Sequence, residues 1–272
     1  SPMNMDAIPI WALFAGTIMT VLVSIEGGYQ LGRFAHRRSE EEKESPVSAI
    51  AGTVLGLVAF MLAFTFGLVY DRFDARKELV LAEANVIRTA WLRSDFLPEP
   101  DRAEAKELIR EYTEKRLAFV QARDSRPDIV KNMVLVVHSI QNRLWEMAVA
   151  NARKDMNSDV AALYIESLNE LFAIHVSRMT AGLQLRIPMA IWFALYATTF
   201  LGMMGVGYQT GIAGSKRSMV RPILALSFAV VILLIASLDR PDSNLISVPQ
   251  QSQIDLLSWM ESGSGGGVKE TP

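Results

Sequence analysis

The charged residues that could do chemistry in this chain sit where long apolar runs end. Asp71, Arg72, Asp74 and Arg76 follow an apolar stretch that closes at Tyr70, and Asp239 and Arg240 follow another that closes at Leu238. Side chains of this kind act through charge rather than through bond making. They can form a structural ion-pair network at the helix ends, or they can line a charged vestibule for ions, and the residues leave both readings open. In either case a partly buried pair is sensitive to loss of one partner. The run Leu238-Asp239-Arg240-Pro241 places adjacent opposite charges before a helix stop, which argues for a fixed geometry there. Catalysis finds no comparable support. His36, His138 and His175 are scattered, and no metalloprotease, nucleophile-elbow, phosphate-loop or dinucleotide motif is present. There is no cysteine, hence no thiolate chemistry and no disulfide framework. An enzyme, a cofactor and a metal site are therefore not expected. A formal charge of −2 gives no case for a nucleic-acid partner.

Four apolar stretches must position these charges. They run from about Ile8 to Ile25, Val47 to Tyr70, Ile187 to Tyr208 and Met219 to Leu238. Each approaches or exceeds the roughly 20 apolar residues that cross a bilayer as a helix. Trp11 suits the headgroup level near one end of the first. The second continues past Tyr70 into a charged stretch with no proline until Pro98, so one helix is predicted to leave the lipid and carry on into water. The first nine residues include Ser1-Pro2 ahead of Met3, and the Gly/Ser run Ser262–Gly267 reads as a flexible tail.

Residues 71–186 hold 18 Lys/Arg and 18 Asp/Glu, and their apolar residues keep a helical period. Phe73, Val80, Ala84, Ile87 and Trp91 share one face of the first helix, which Leu97-Pro98-Glu99-Pro100 ends. Asp101 with Glu104 reads as a capping box for the second helix, which carries Leu108, Tyr112, Leu117 and Val120. Ile129, Met133, Val136, Ile140, Leu144 and Met147 form the stripe of the third. Asn157-Ser158-Asp159 caps the fourth, with Leu163, Leu168, Leu171, Phe172, Met179 and Leu183, and a kink is predicted at Pro188 where it enters the third span. The fold class is all-α: an integral membrane protein of four spans with an inserted long-helix bundle continuous with spans two and three. The expected divisions are 1–70, 71–186, 187–240 and a partly flexible tail, 241–272.

Two short loops, Arg33–Ser45 and Gly211–Arg221, lie on the side opposite the bundle. Arg33, Arg37, Arg38 and Lys43 in one, balanced by Glu40, Glu41, Glu42 and Glu44, and Lys216, Arg217 and Arg221 in the other, place that side in the cytoplasm by the positive-inside rule. Arg72, Arg76, Lys77, Arg178 and Arg186 flank the other side. Glu26 ends span one, facing an interface contact to Arg33 or water. Span two carries small residues, Gly52, Gly56, Ala59, Ala63 and Gly67, at spacings of three and four. Close helix–helix approach accounts for such a stripe. Lining of a narrow pore by several copies accounts for it too, with Leu55, Ala59, Leu62 and Phe66 along the path and an apolar constriction that gates by dewetting.

Arg72-Phe73-Asp74-Ala75-Arg76, Glu83-Ala84-Asn85, Leu97-Pro98, Tyr112 and the run Leu238 to Pro241 together resemble the bacterial bestrophin-like membrane proteins over nearly the whole chain. Tyr70, Arg72 and Phe73 are similar to a motif that follows the pore-lining second span of true bestrophin channels, although Ala75-Arg76 come one residue sooner. The resemblance implies a homo-oligomeric ion channel in the bacterial inner membrane, favouring a pentamer, with span two around the axis and inorganic ions and the lipid bilayer as partners. It also implies a cytoplasmic bundle, against the short-loop reading. The tail offers Asp242 and Asp255 but no acidic cluster, so calcium gating does not carry over. The alternative is a membrane-anchored sensor or scaffold whose bundle binds a ligand or partner. A proton-driven stator ranks behind both, because no acidic residue sits at the centre of a span.

Overall fold

The computed structural model describes residues 8–38, 44–124, 126–214, 220–240, 243 and 245–264. Every regular element among them is helical: α1 (Ile10–Arg38), α2 (Glu44–Arg93), α3 (Asp101–Ala122), α4 (Pro127–Ala152), α5 (Asp159–Met179), α6 (Met189–Ile212), α7 (Val220–Asp239) and α8 (Gln251–Ser264). Among the described residues, four helical stretches are long and apolar enough to cross a membrane: those of α1, α2, the α5–α6 run and α7. The helices divide into two compact units, one of residues 1–72 and 186–240, the other of 73–185 and 241–272.

The first unit is held by α1, α6 and α7 around Val21, Ile25, Met203 and Ala225. Glycine makes the α1–α6 approach possible. A methyl group on Gly28 would collide with the carbonyl oxygen of Met204, one on Gly32 with that of Tyr208, one on Gly207 with that of Ile25, and one on Gly211 with that of Tyr29. Two Gly-x-x-x-Gly pairs therefore face each other, and the helices touch backbone to backbone. Helix α2 packs on α6 less closely: the missing side chain of Gly202 leaves space that Val58 and Val54 occupy, and Gln209 donates to Ser48 Oγ at 2.9 Å.

The second unit buries α2, α3, α4, α5 and α8 around one core that includes Ile87, Ile109, Tyr112, Leu144, Leu168 and Leu171. The expected faces of α2 and α4 are buried at Val80, Ala84, Ile87, Trp91, Met133, Ile140, Leu144 and Met147. On α3 the core side chains are Ala105, Ile109, Tyr112 and Thr113, one position round from Leu108. Ser158 caps α5, its Oγ accepting the Ala161 N–H at 3.2 Å.

The structure corrects several sequence expectations. Asp101 and Glu104 form no capping box: the Asp101 carboxylate accepts from Asn151 Nδ2 at 2.7 Å, Glu104 accepts from Arg143 at 2.9 Å, and Glu99 takes the Ala103 N–H at 3.3 Å. Pro188 does not kink a continuous helix. The last turn after α5, Thr180–Gln184, widens to an i→i+5 hydrogen bond, Leu185 N–H to Thr180 O at 3.2 Å, and Leu185 and Pro188 are extended before α6 begins. Proline disfavours the helical region for the residue before it, which explains a break here. The loop read as Arg33–Ser45 is helical at both ends, since α1 reaches Arg38 and α2 starts at Glu44. Within the stretch read as a tail, α8 contributes Leu256 and Met260 to the core and includes Ser262. Residues 1–7, Glu40, Glu41, Glu42, Lys43, Lys216, Arg217, Met219, Pro241, Asp242 and the glycines from 265 onward lie outside the described residues.

Candidate functional site

Helix α2 is the element on which any pore reading depends. It runs unbroken for 50 residues. Only 11 % of its apolar window is buried within the chain, against 28 % for α1 and 44 % for α7. Its inward side is Ala51, Val58, Thr65 and Val69, all buried. Its outward side exposes Gly52, Gly56, Ala59, Phe60, Ala63 and Phe64. A methyl on Gly52, Gly56 or Gly67 would meet nothing in this chain, so the small stripe is not an intrachain packing surface. Of the lining candidates, Ala59 is exposed and Leu62 and Phe66 are half-buried, with Phe66 stacked on Tyr70 at 6.2 Å. Leu55 leans on the core of the first unit beside Val21 and Met203.

The charge candidates have the following contacts. Arg72 reaches Asp239 at 3.8 Å, and Asp239, itself buried, accepts the Ile187 N–H at 3.2 Å. One carboxylate thus ties the end of α7 to α2 and to the entry of α6. Arg240 donates to the Ile8 carbonyl at 2.7 Å. Asp71 is exposed, and Asp74 pairs with Lys77 at 3.3 Å. Arg76 is buried in the second unit. Glu26 pairs with Arg221, at 3.0 Å, while Arg221 also lies over the Tyr29 ring at 4.6 Å.

A polar cluster that sequence reasoning missed lies in the second unit. Glu83 is fully buried on α2. Its carboxylate accepts from Tyr112 Oη at 2.8 Å, Arg116 Nε at 3.3 Å, Gln253 Nε2 at 3.0 Å and Arg178. His175 Nδ1 lies 3.3 Å from the same Tyr112 hydroxyl. The signal was available: Glu83 stands beside Ala84 on the stripe that buries Val80 and Ile87, a core position where a carboxylate must be paired. The apolar stretch of α2 ends at Tyr70, and Glu83 is about 20 Å farther along the helix, clear of the lipid. Burial raises the Glu83 pKa, but the charges of Arg116 and Arg178, with hydrogen bonds from Tyr112 and Arg178, outweigh it and hold the group below the usual 4.5.

Burial, then the charge of Arg116, pushes His175 down to about 4, so it is neutral at pH 7. The unfolded chain takes up a proton near pH 6.5 that the folded chain refuses until about pH 4. Stability is therefore expected to fall as pH drops from 6.5 to 4, and His175→Phe should flatten that limb in thermal unfolding recorded against pH.

The family model for the Bestrophin-like domain matches residues 18–252. The chain belongs to the Bestrophin-like family. No curated protein matches the sequence. Among solved structures, a bacterial bestrophin homologue from Klebsiella pneumoniae is similar over 96 % of this chain and 100 % of its own, at 14 % identity and a TM-score of 0.58. A single-site variant of a Klebsiella pneumoniae bestrophin homologue matches over 93 % of this chain and 98 % of its own, at 14 % identity and a TM-score of 0.59. A structure described only as a membrane protein matches over 95 % and 99 %, at 15 % identity and a TM-score of 0.56. At such identities the likeness shows a shared fold. This Bestrophin-like chain is thus a multi-pass membrane protein, helical in every regular element among the described residues.

Proposed function

We propose that this Bestrophin-like protein is a homo-oligomeric ion channel of the bacterial inner membrane, with α2 lining the conduction path. The observation that carries the reading is the exposure of α2. A helix whose apolar span is the least buried of the set, and whose glycines face no atom of their own chain, needs other copies or lipid against it. A single helix cannot enclose a pore, so the reading requires a ring, and a pentamer is favoured. Ala59, Leu62 and Phe66 form the path, with Leu55 shared between the path and the core. The narrowest point is apolar and gates by dewetting rather than by charge. Arg72 and Asp239 brace its mouth, Asp71 and Asp74 add negative potential there, and Arg76 and Arg240 secure the flanking helices. Inorganic ions are the substrate, and no catalysis is involved.

Native mass spectrometry of the detergent-purified particle, followed by bilayer recordings with ion substitution, tests this. A closed ring of about five copies that conducts supports it. A monomer or simple dimer sinks it and turns attention to a membrane-anchored sensor or scaffold, a reading that an arginine-lined cavity in the second unit favours. Within a conducting ring, Phe66→Ala is expected to raise conductance or open probability several-fold, because it removes the bulkiest side chain of the constriction. Unchanged currents from reconstituted Phe66→Ala would move the constriction elsewhere.

A further inference from the structure

The second unit contains a cavity of about 350 Å³ bounded by α2, α3, the turn after α5 and residues 247–250. Its lining is divided in chemistry. Four guanidinium groups reach it, from Arg76, Arg116, Arg123 and Arg178, with Asp124 as the carboxylate among the described lining residues. Phe119, Val120, Leu183 and Val248 supply the apolar wall. Arg76 and Arg116 are buried, so their charged groups must be met by polar partners.

Two carboxylates at the cavity are engaged within the chain. Asp124 accepts two hydrogen bonds from Arg126, at 2.9 and 2.7 Å. Glu83 is shared between Arg116 and Arg178. Arg123 donates to Ser247 Oγ and Arg178 to Gln250 Oε1, each at 3.3 Å, which straps residues 247–250 over the cavity. Arg76 and Arg123 have further partners in the chain. A guanidinium nevertheless carries five N–H donors in a planar fork, so one or two partners do not exhaust it. His175 beside the cluster is neutral and adds no charge.

We propose that this cavity is a binding site for a small amphiphilic monocarboxylate, its head on the arginine side and its hydrocarbon against Val120, Leu183 and Val248. A planar carboxylate suits the bidentate fork of arginine. A bare halide would leave most of the space and all of the apolar wall unused. The volume falls at the lower end of small-ligand pockets, which fits a chain of about six carbons. Arg76 belongs to α2, so the occupied cavity holds the helix that the channel reading places on the pore. The binding site itself goes beyond that reading and does not depend on it.

The test is isothermal titration of the full-length, detergent-purified protein with hexanoate, and with hexanol, hexylamine and inorganic phosphate as comparisons. The expected result is saturable binding of one hexanoate per chain, with none for hexanol or hexylamine and weaker binding of phosphate. Val120→Trp, which fills the apolar end, and Arg76→Gln, which removes a charged donor, should each weaken hexanoate binding at least about tenfold. Leu183→Trp replaces whichever of these fails to melt like the parent protein. Absence of saturable hexanoate binding overturns the proposal. So does equal binding of hexanol or phosphate, or full binding by the folded Val120→Trp variant. Binding is read without any current, so its failure is separable from failure of the channel reading.

Discussion

Gly207→Ala, like Gly28→Ala, is expected to disrupt the membrane unit severely. The added carbon would overlap the Ile25 carbonyl oxygen and crowd the Tyr29 amide nitrogen at 2.9 Å, and neither is the tip of a flexible side chain that could move aside. The α1 and α6 backbones must separate, and the whole Gly28, Gly32, Gly207, Gly211 seam opens with them. Overpacking of this kind costs about 1–3 kcal/mol where side chains can adjust, and backbone against backbone lies at or above the upper end. Gly207→Leu should abolish a monodisperse particle. Gly27→Ala is the control: it adds the same methyl one residue from Gly28, where nothing lies within 4 Å, and it gains helix propensity. Thermal unfolding in detergent should show Gly27→Ala at or above the parent melting temperature and Gly207→Ala well below it. Equal melting of the two variants would mean that α1 and α6 are not in backbone contact.

Glu83→Ala is expected to be the most damaging change in the second unit. It leaves Arg116 and Arg178 buried beside each other with their shared carboxylate gone, and it removes the acceptor that Tyr112 and Gln253 share. Breaking a buried pair by removing one partner costs about 3–5 kcal/mol. That is a large share of the stability of an ordinary domain. Glu83→Gln keeps the size and one acceptor, and should fall between the two. Replacing Glu83, Arg116 and Arg178 together by leucine and methionine should recover much of the loss, because no charge is then stranded. Acid titration separates this cluster from His175. The folded Glu83 pKa is depressed, so its contribution is fully present above 4.5 and is lost as pH falls through the folded value. The His175 limb lies between pH 6.5 and about 4. Glu83→Gln should therefore lessen the loss of stability below pH 4.5 and leave the higher limb in place. A wild-type profile that is flat below pH 4.5 would contradict the buried carboxylate.

Both clusters act as braces. The Arg72–Asp239 bridge and the Asp239 acceptance of the Ile187 amide join three chain segments at one carboxylate. That favours a brace over a mobile gating charge, and it explains why opposite charges stand side by side at Asp239 and Arg240. The Glu83 cluster braces the bundle in the same way, at a position that α2 carries directly from the span.

The sequence by itself determined the helices and the spans. Apolar residues at helical spacing and runs of about 20 apolar residues are local signals, and burial or lipid must satisfy them wherever the partners lie. Val80, Ala84 and Ile87 on α2 were legible for that reason, and so was the Ser158 cap. Only the tertiary structure decided which surfaces meet. Gly28-x-x-x-Gly32 and Gly52-x-x-x-Gly56 are the same pattern in the sequence, yet the first closes on the α6 backbone and the second faces no atom of the chain. Glu83, Tyr112, Arg116, Arg178 and Gln253 are far apart in the chain, and no spacing rule links them. Periodicity states that a face is buried but not against what. The neutralisation of a buried charge is a property of the partner that folding brings to it.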